Sequence, residues 1–292
     1  MYVNQYKDNT GLVVNDIRIL CVISTTNREP FISILRDGAI ESWARDVQKI
    51  QVCTLEASFN SKPIILFDKL REKLRYKSIF HARLGQILDL MLLPFLNFVP
   101  KMQLSEKSQE IPRYFVRIPE MLSLYRWKYI AMLKFFIEST DCDFIYTVNS
   151  SCFVNENLFL KKLVDAQPIE YAGTLIPDPK FGYAFVGGSN RVISRNSAAL
   201  ILKNMHRWPV YVLEDVGLGR LMRRLKIRIV SIESKNLTTI EELDQLKDDA
   251  FTRYSHFRLR SYVPNKGGHE VRNDVAIFRS LSSRLSQLNN RG

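Results

Sequence analysis

Two neighbouring carboxylates, Glu214 and Asp215, open a run that continues as an amphipathic helix and ends in Arg223-Arg224-Leu225-Lys226. A carboxylate in the first turn of a helix stays ionised readily, because the amide ends there carry partial positive charge. Such a group can take a proton from a hydroxyl as a general base. The same acids, with bases at the far end, also complement the helix dipole, so a capping role stands beside the chemical one. A second group has the chemistry of anion binding: His256, Arg258 and Arg260, in the alternating aromatic and basic stretch 251–261. Arginine and histidine donors suit phosphate oxygens, while bases interleaved with aromatics also suit single-stranded nucleic acid. A third group is the polar tip Asn149-Ser150-Ser151, where an apolar strand over 144–148 stops before resuming as Cys152-Phe153-Val154. Ligands of open α/β sheets bind at the carboxyl ends of strands, so this tip marks a candidate site edge. It carries no carboxylate.

The elements that must position these groups follow from hydropathy. Residues 17–23 (IRILCVI) form a near-continuous apolar run, the mark of a strand buried on both faces. The run ends in Ser24-Thr25-Thr26-Asn27-Arg28, and Phe31, Ile34, Leu35, Ile40 and Trp43 then fall broadly at helical spacing. Strands are predicted over 51–55 and 63–67. This β-loop-α-β order opens doubly wound, nucleotide-binding α/β domains, which makes the loop after the first strand a default nucleotide site. A plain surface turn is the competing reading of that loop. Residues 122–139 predict a central helix running straight into the 144–148 strand, and 157–164 a second amphipathic one. A glycine pair, Gly187-Gly188, precedes Val192-Ile193-Ser194 and a helix with Asn196 as its predicted N-cap. A late strand is predicted over 227–232, Thr239 and Glu242 form a capping box, and a final helix covers 273–288.

At 292 residues, 46% hydrophobic and 25% charged, the chain has the material for one large domain or two small ones. A net charge of +12 calls for an anionic partner: nucleic acid, an acidic membrane surface or a phosphorylated small molecule. Four cysteines, Cys21, Cys53, Cys142 and Cys152, fall in or beside predicted strands without a CxxC pair. They read as reduced core residues in a reducing compartment, not as a zinc site. The polar first ten residues predict neither a signal peptide nor an N-terminal anchor. Residues 68–101 predict a basic amphipathic helix, able either to lie in a membrane interface or to dock on the core. The corresponding expectation is a cytoplasmic protein, with peripheral membrane contact, if any, through 68–101.

Taken in order, these features resemble the β1,3-galactosyltransferase and Fringe family, glycosyltransferase family 31, over about residues 17–278. Arg36-x-x-Ala39-Ile40-Glu41-Ser42-Trp43 is similar to the family's Arg-x-x-Ala-Ile-Arg-x-Thr-Trp, and 144–155 to its strand ending in Asp-Asp-Asp-Val-Phe-Val-Asn. Gly187-Gly188 through Ser194-Arg195 resembles Ser-Gly-Gly-Gly-Tyr-Val-Leu-Ser-Arg. Glu214-Asp215-Val216, with Gly217 beyond, resembles Glu-Asp-Val-x-x-Gly. The resemblance implies an α/β, Rossmann-like GT-A fold with a mixed central sheet flanked by helices, a single domain over 1–292 with 68–101 as an insertion. It implies transfer of a hexose or N-acetylhexosamine, with inversion, from a nucleotide sugar (UDP-linked) to a carbohydrate acceptor. The polar first ten residues, where secretory members of the family have an anchor, add the expectation of a lipid-linked glycan acceptor in surface glycan synthesis. Asp215 is then the base and Glu214 orients it or the acceptor. Gly187 and Gly188 let the backbone approach the sugar. Thr25, Thr26, Arg28, Arg36, Asn149, Ser150, Ser151, His256 and Arg258 are the donor-binding candidates, with His256 where the family has a late histidine near the donor phosphates.

One departure matters. Where the family holds Mn²⁺ or Mg²⁺ with three aspartates, this chain has Asn149, Ser150 and Ser151. Neutral amide and hydroxyl oxygens hold such a cation far more weakly than carboxylates. Two readings stay open: an enzyme without a metal cofactor, with Arg258, Arg260 or Lys266 neutralising the diphosphate, or a catalytically inactive GT-A-like protein that binds a nucleotide sugar or glycan. Neither expects nucleic acid as partner.

Overall fold

The computed structural model describes residues 17–26, 29–59, 101–106, 111–119, 125–178, 183–209, 212–260 and 272–290. Its layering starts from β1 (Ile19–Ser24), whose first five residues are apolar and fully or nearly fully buried. Successive side chains of a strand point to opposite faces. Ile19, Cys21 and Ile23 accordingly enter one core cluster, and Leu20 and Val22 the other. Each fully buried aliphatic side chain of this kind contributes roughly 1.5–3 kcal/mol over its exposed state.

After β1 comes α1, which begins as one α turn at Phe31–Ser33 and continues as a π-helix over Ile34–Ala44. Next are β2 (Ile50–Phe59), β3 (Met102–Glu106), β4 (Arg113–Pro119) and the central helix α2 (Tyr125–Ser139). Then follow β5 (Phe144–Asn149), β6 (Cys152–Val154), α3 (Glu156–Asp165), β7 (Tyr171–Asp178) and β8 (Tyr183–Ser194). The chain continues through α4 (Arg195–Lys203), a 3-10 turn at Met205–Arg207, α5 (Glu214–Arg224), β9 (Ile229–Ser231) and β10 (Lys235–Leu237). It closes with α6 (Ile240–Asp244), α7 (Asp249–Arg253), β11 (His256–Leu259) and α8 (Asp274–Asn289).

The strands form a large mixed sheet in the order β3-β4-β2-β1-β5-β8-β7-β9 and a smaller one in the order β10-β11-β6. Helices cover both faces of the large sheet. Residues of α1, α3 and α8 share the cluster of Ile19, while α2, α4 and α5 share that of Leu20. The fold is therefore a mixed α/β sheet flanked by helices. β1 runs parallel to both β2 and β5, with Ser24 opposite Asn149. That register brings the loop after β1 and the tip after β5 to the same sheet edge.

Several local expectations need correction. The N-cap of α4 is Ser194, whose hydroxyl accepts from the Ser197 amide at 3.3 Å, and Asn196 is exposed. The predicted α-helix after β1 is mostly π-helical, so its apolar residues drift from the usual spacing. Thr239 caps α6 as expected, and the Glu242 carboxylate reaches back to the Thr238 amide and hydroxyl, each at 2.7 Å. The strand predicted at 63–67, residues 68–100 of the basic helix, Asn27, Arg28 and Lys266 lie outside the described residues. All four cysteines are buried and unpaired, and burial pushes the Cys53 thiol up to about 12 and that of Cys152 to about 11. They stay protonated at neutral pH. Among the described residues no helix is long and apolar enough to cross a membrane.

Candidate active site

A cavity of about 510 Å³ opens at the shared edge of β1 and β5. From the β1 side it is lined by Ser24, Thr25 and Thr26, and from the β5 side by Asn149, Ser150 and Ser151. The β1 loop is fixed by its own backbone: the Thr25 amide donates to Leu55 O at 3.0 Å, and the Ser150 amide to Ser24 O at 3.2 Å. Beneath it, Lys128 of α2 is 2% exposed and donates from Nζ to Thr25 O at 2.7 Å. A buried lysine is costly unless it is paired. This one ties the central helix to the loop after β1 and brings its amine to the cavity wall.

The second wall comes from β8 and α5. Gly188, Ser189 and Arg191 line it from the strand, Glu214 and Asp215 from the first turn of the helix. Two glycines seat that helix. A Cβ on Gly219 would lie 2.5 Å from Phe185 Cβ, and one on Gly217 would lie 2.8 Å from Trp208 Nε1 and 2.9 Å from Pro209 O. Glu214 does not cap α5; it takes a two-pronged ion pair from Arg191, Nη1 to Oε1 at 2.8 Å and Nη2 to Oε2 at 3.2 Å. Asp215 accepts from the Val216 amide at 2.8 Å and keeps its place on the cavity. Burial pushes the Glu214 carboxyl above the usual range, and the Arg191 charge opposes that push.

The third wall is basic. Arg258 and Arg260 reach it from β11 and the residue after it, and Arg272 from the residues before α8. Arg272 is anchored by Asp274 at 2.7 Å and by Leu259 O at 2.7 Å. β11 is held in place by antiparallel pairing with β6, the strand that resumes after the polar tip, with Arg258 opposite Cys152. The Trp43 indole donates to Cys152 O at 2.9 Å, fixing α1 to the same segment. The Arg-x-x-Ala-Ile-like segment thus contributes through its tryptophan.

The cavity gathers Thr25, Thr26, Asn149, Ser150, Ser151, Gly188, Glu214, Asp215 and Arg258 of the sequence-derived candidates. It does not gather three others. Arg36 is exposed and paired with its neighbour Asp37 at 2.6 Å. Gly187 is buried behind the cavity wall, where a Cβ would meet the end of Ile176 at 2.8 Å. His256 is fully buried, with Nδ1 2.8 Å from the Tyr146 hydroxyl, and burial, helped by the Arg258 charge, lowers its pKa to about 3. It is a neutral core imidazole off the cavity lining. The cavity residues that sequence reasoning passed over include Lys128, Tyr129, Arg191 and Arg272. Two left a signal: Lys128 interrupts the apolar stretch 127–133, and Arg191 sits inside a strand that otherwise reads as core.

Asn149, Ser150 and Ser151 offer one amide and two hydroxyl groups, Glu214 is engaged by Arg191, and cationic side chains flank the remainder. Among the described residues no group of three or more His, Cys, Asp or Glu side chains could hold a metal. The tip itself therefore lacks the carboxylates with which Mn²⁺ and Mg²⁺ are held, and Asp215 is the cavity carboxylate outside the Arg191 fork.

No known family model matches the chain, and no curated protein does. Among solved structures it is similar to galactosyltransferase LgtC in complex with donor and acceptor sugar analogs. That likeness has 10% identity and a TM-score of 0.44 over 92% of this chain and 96% of that one. It is also similar to glycosyltransferase GlyE of Streptococcus pneumoniae TIGR4, at 11% identity and a TM-score of 0.44 over 91% of this chain. The apo form of GlyE gives 10% identity and a TM-score of 0.41. The chain spans 60% of the length of either GlyE structure.

Proposed function

We propose that this protein is a GT-A-type glycosyltransferase that moves a hexose or N-acetylhexosamine from a UDP-linked donor to a carbohydrate or lipid-linked glycan acceptor without a metal ion. One observation carries the reading: Asp215 shares a single cavity with Lys128, Arg258, Arg260 and Arg272, at the carboxyl ends of β1 and β5. That is the edge where α/β sheets bind nucleotides. Sugar transfer needs a base for the acceptor hydroxyl and positive charge for the departing diphosphate.

In the proposed step Asp215 takes the acceptor proton while the acceptor oxygen attacks the anomeric carbon. The bond from that carbon to the phosphate oxygen breaks, its electron pair leaves with the diphosphate, and the configuration inverts. Arg258, Arg260 and Arg272 stabilise the charge that develops on the leaving group. The family 31 resemblance supports Asp215 as the base, because it matches the second acid of that motif. Thr25, Thr26, Asn149, Ser150 and Ser151 are assigned to the nucleotide side and Gly188 to the sugar.

The test is a transfer and hydrolysis assay with a panel of nucleotide sugars in EDTA, on the wild type and on Asp215→Asn. Activity that survives EDTA and falls by about 10²–10⁴-fold in the variant is expected. Tight binding without turnover of any donor would instead identify an inactive binding protein.

A further inference from the structure

Arg191 is a full charge within a layer of apolar side chains. Its side chain is 1% exposed, its guanidinium lies 4.6 Å over the Tyr129 ring, and it shares its face of β8 with core residue Ile193. Burying an ion pair usually costs more than an apolar pair of the same volume, so such pairs are poor devices for stability. This pair is also not sealed in: Arg191 and Glu214 both line the cavity, and the Glu214 side chain is 15% exposed. Gly188 stands directly above them, with its missing Cβ 3.5 Å from Arg191 Nη2 and 4.0 Å from Glu214 Oε2. The pair is left open from that side.

We infer that the Arg191–Glu214 pair is the element that reads the transferred sugar: Arg191 holds Glu214 as an oriented carboxylate that accepts hydrogen bonds from the sugar's hydroxyls, and Asp215 alone acts as the base. The inference rests on the glycosyltransferase reading. Chemistry separates the two neighbouring acids. Glu214 spends one lone pair of each oxygen on the arginine fork, which fixes its plane and leaves the others for hydroxyl donors. A proton placed on either oxygen of Glu214 would break the arginine fork that holds both, whereas Asp215 accepts the Val216 amide on Oδ1 and carries no such fork, so the base is Asp215. Arg191 is a positioning residue. The ionisable groups around Glu214 are Arg191 from β8, Tyr129 from α2, Tyr171 from β7 and Asp215 on its own helix. Arg191 is the cation among these groups.

Calorimetric titration with UDP, and with UDP-galactose, UDP-glucose and their two N-acetylhexosamine counterparts, isolates the sugar's contribution as a ratio of Kd values. In the wild type the preferred sugar is expected to tighten binding about tenfold or more over UDP. In Glu214→Gln, and in the double variant Arg191→Met with Glu214→Gln, that ratio falls toward unity while the Kd for UDP is unchanged. Arg191→Lys keeps the charge without the fork and restores part of the ratio. In Arg191→Met burial acts on Glu214 unopposed, so the acid limb of the sugar-dependent binding moves to higher pH. The double variant has no such limb. If Arg191→Met alone is unfolded by thermal melting, the double variant, which strands no charge, carries the test. A ratio that survives in Glu214→Gln and in the double variant overturns the inference. UDP binding with no advantage from any sugar in the wild type overturns it while the nucleotide site stands. Failure to bind any nucleotide removes the glycosyltransferase reading and this inference with it.

Discussion

Replacing His256 with asparagine will flatten the acid side of the stability profile while leaving nucleotide affinity at neutral pH unchanged. The imidazole is fully buried and its pKa is lowered from 6.5 to about 3, by burial first and then by the Arg258 charge. Arg258 is two residues along β11 and thus on the same face. The unfolded chain therefore takes up a proton near pH 6.5 that the folded protein refuses until about pH 3. Stability from this group is fully present above the unfolded value and is lost as pH falls through the window toward the folded one. Between pH 7 and pH 5 the loss comes to about 2 kcal/mol. Asparagine keeps a polar atom toward the Tyr146 hydroxyl, which lies 2.8 Å from Nδ1 in the wild type, and does not titrate. Urea unfolding of both proteins at pH 5, 6 and 7 measures the effect as a difference in slope, which cancels the other titrating groups. Identical slopes would refute the buried neutral imidazole. A loss of nucleotide binding in a folded variant would return His256 to the donor site.

Two further outcomes can be checked. Arg258→Gln and Arg260→Gln should each weaken UDP binding about tenfold, from the loss of a charge-assisted hydrogen bond, while uridine binding stays unchanged; equal weakening of both ligands would contradict a diphosphate role. Gly219→Ala drives a methyl into the Phe185 side chain, 2.5 Å away, and should cost about 1–3 kcal/mol by overpacking, read by urea unfolding. Because α5 presents Asp215, its displacement should also lower turnover more than nucleotide affinity.

The sheet was legible where one residue's neighbours decide its environment. The apolar run of β1 and the strand ending at Asn149 each announce burial on both faces, as interior strands of a parallel arrangement do. The same reading located the two polar loops and the Glu214–Asp215 turn that meet at the cavity. It could not find Lys128 or Arg191, because a charge inside an apolar run makes sense only with its partner. Those partners are Thr25, 103 residues away, and Glu214, 23 residues away. His256 misled for the converse reason. A histidine between arginines in sequence looks like phosphate chemistry, but the imidazole is buried against the Tyr146 hydroxyl, 2.8 Å away, while the longer Arg258 on the same face of β11 reaches the cavity lining.

The span from Gly188 to Arg195 carries three duties on one strand and the residue after it. Gly188 leaves the cavity floor open, Arg191 supplies the buried counter-charge, and Arg195 donates to the carbonyls of Phe136, Ile137, Thr140 and Cys142 at the end of α2. Alternate residues of a strand face opposite sides, so inserting or deleting a single residue here would carry Asn190 or Val192 into the place of Arg191. The same slip would pull Arg195 off the end of α2. This segment can therefore vary in residue type at its apolar positions yet not in length, and among homologous chains its spacing should be the most constant feature of the site.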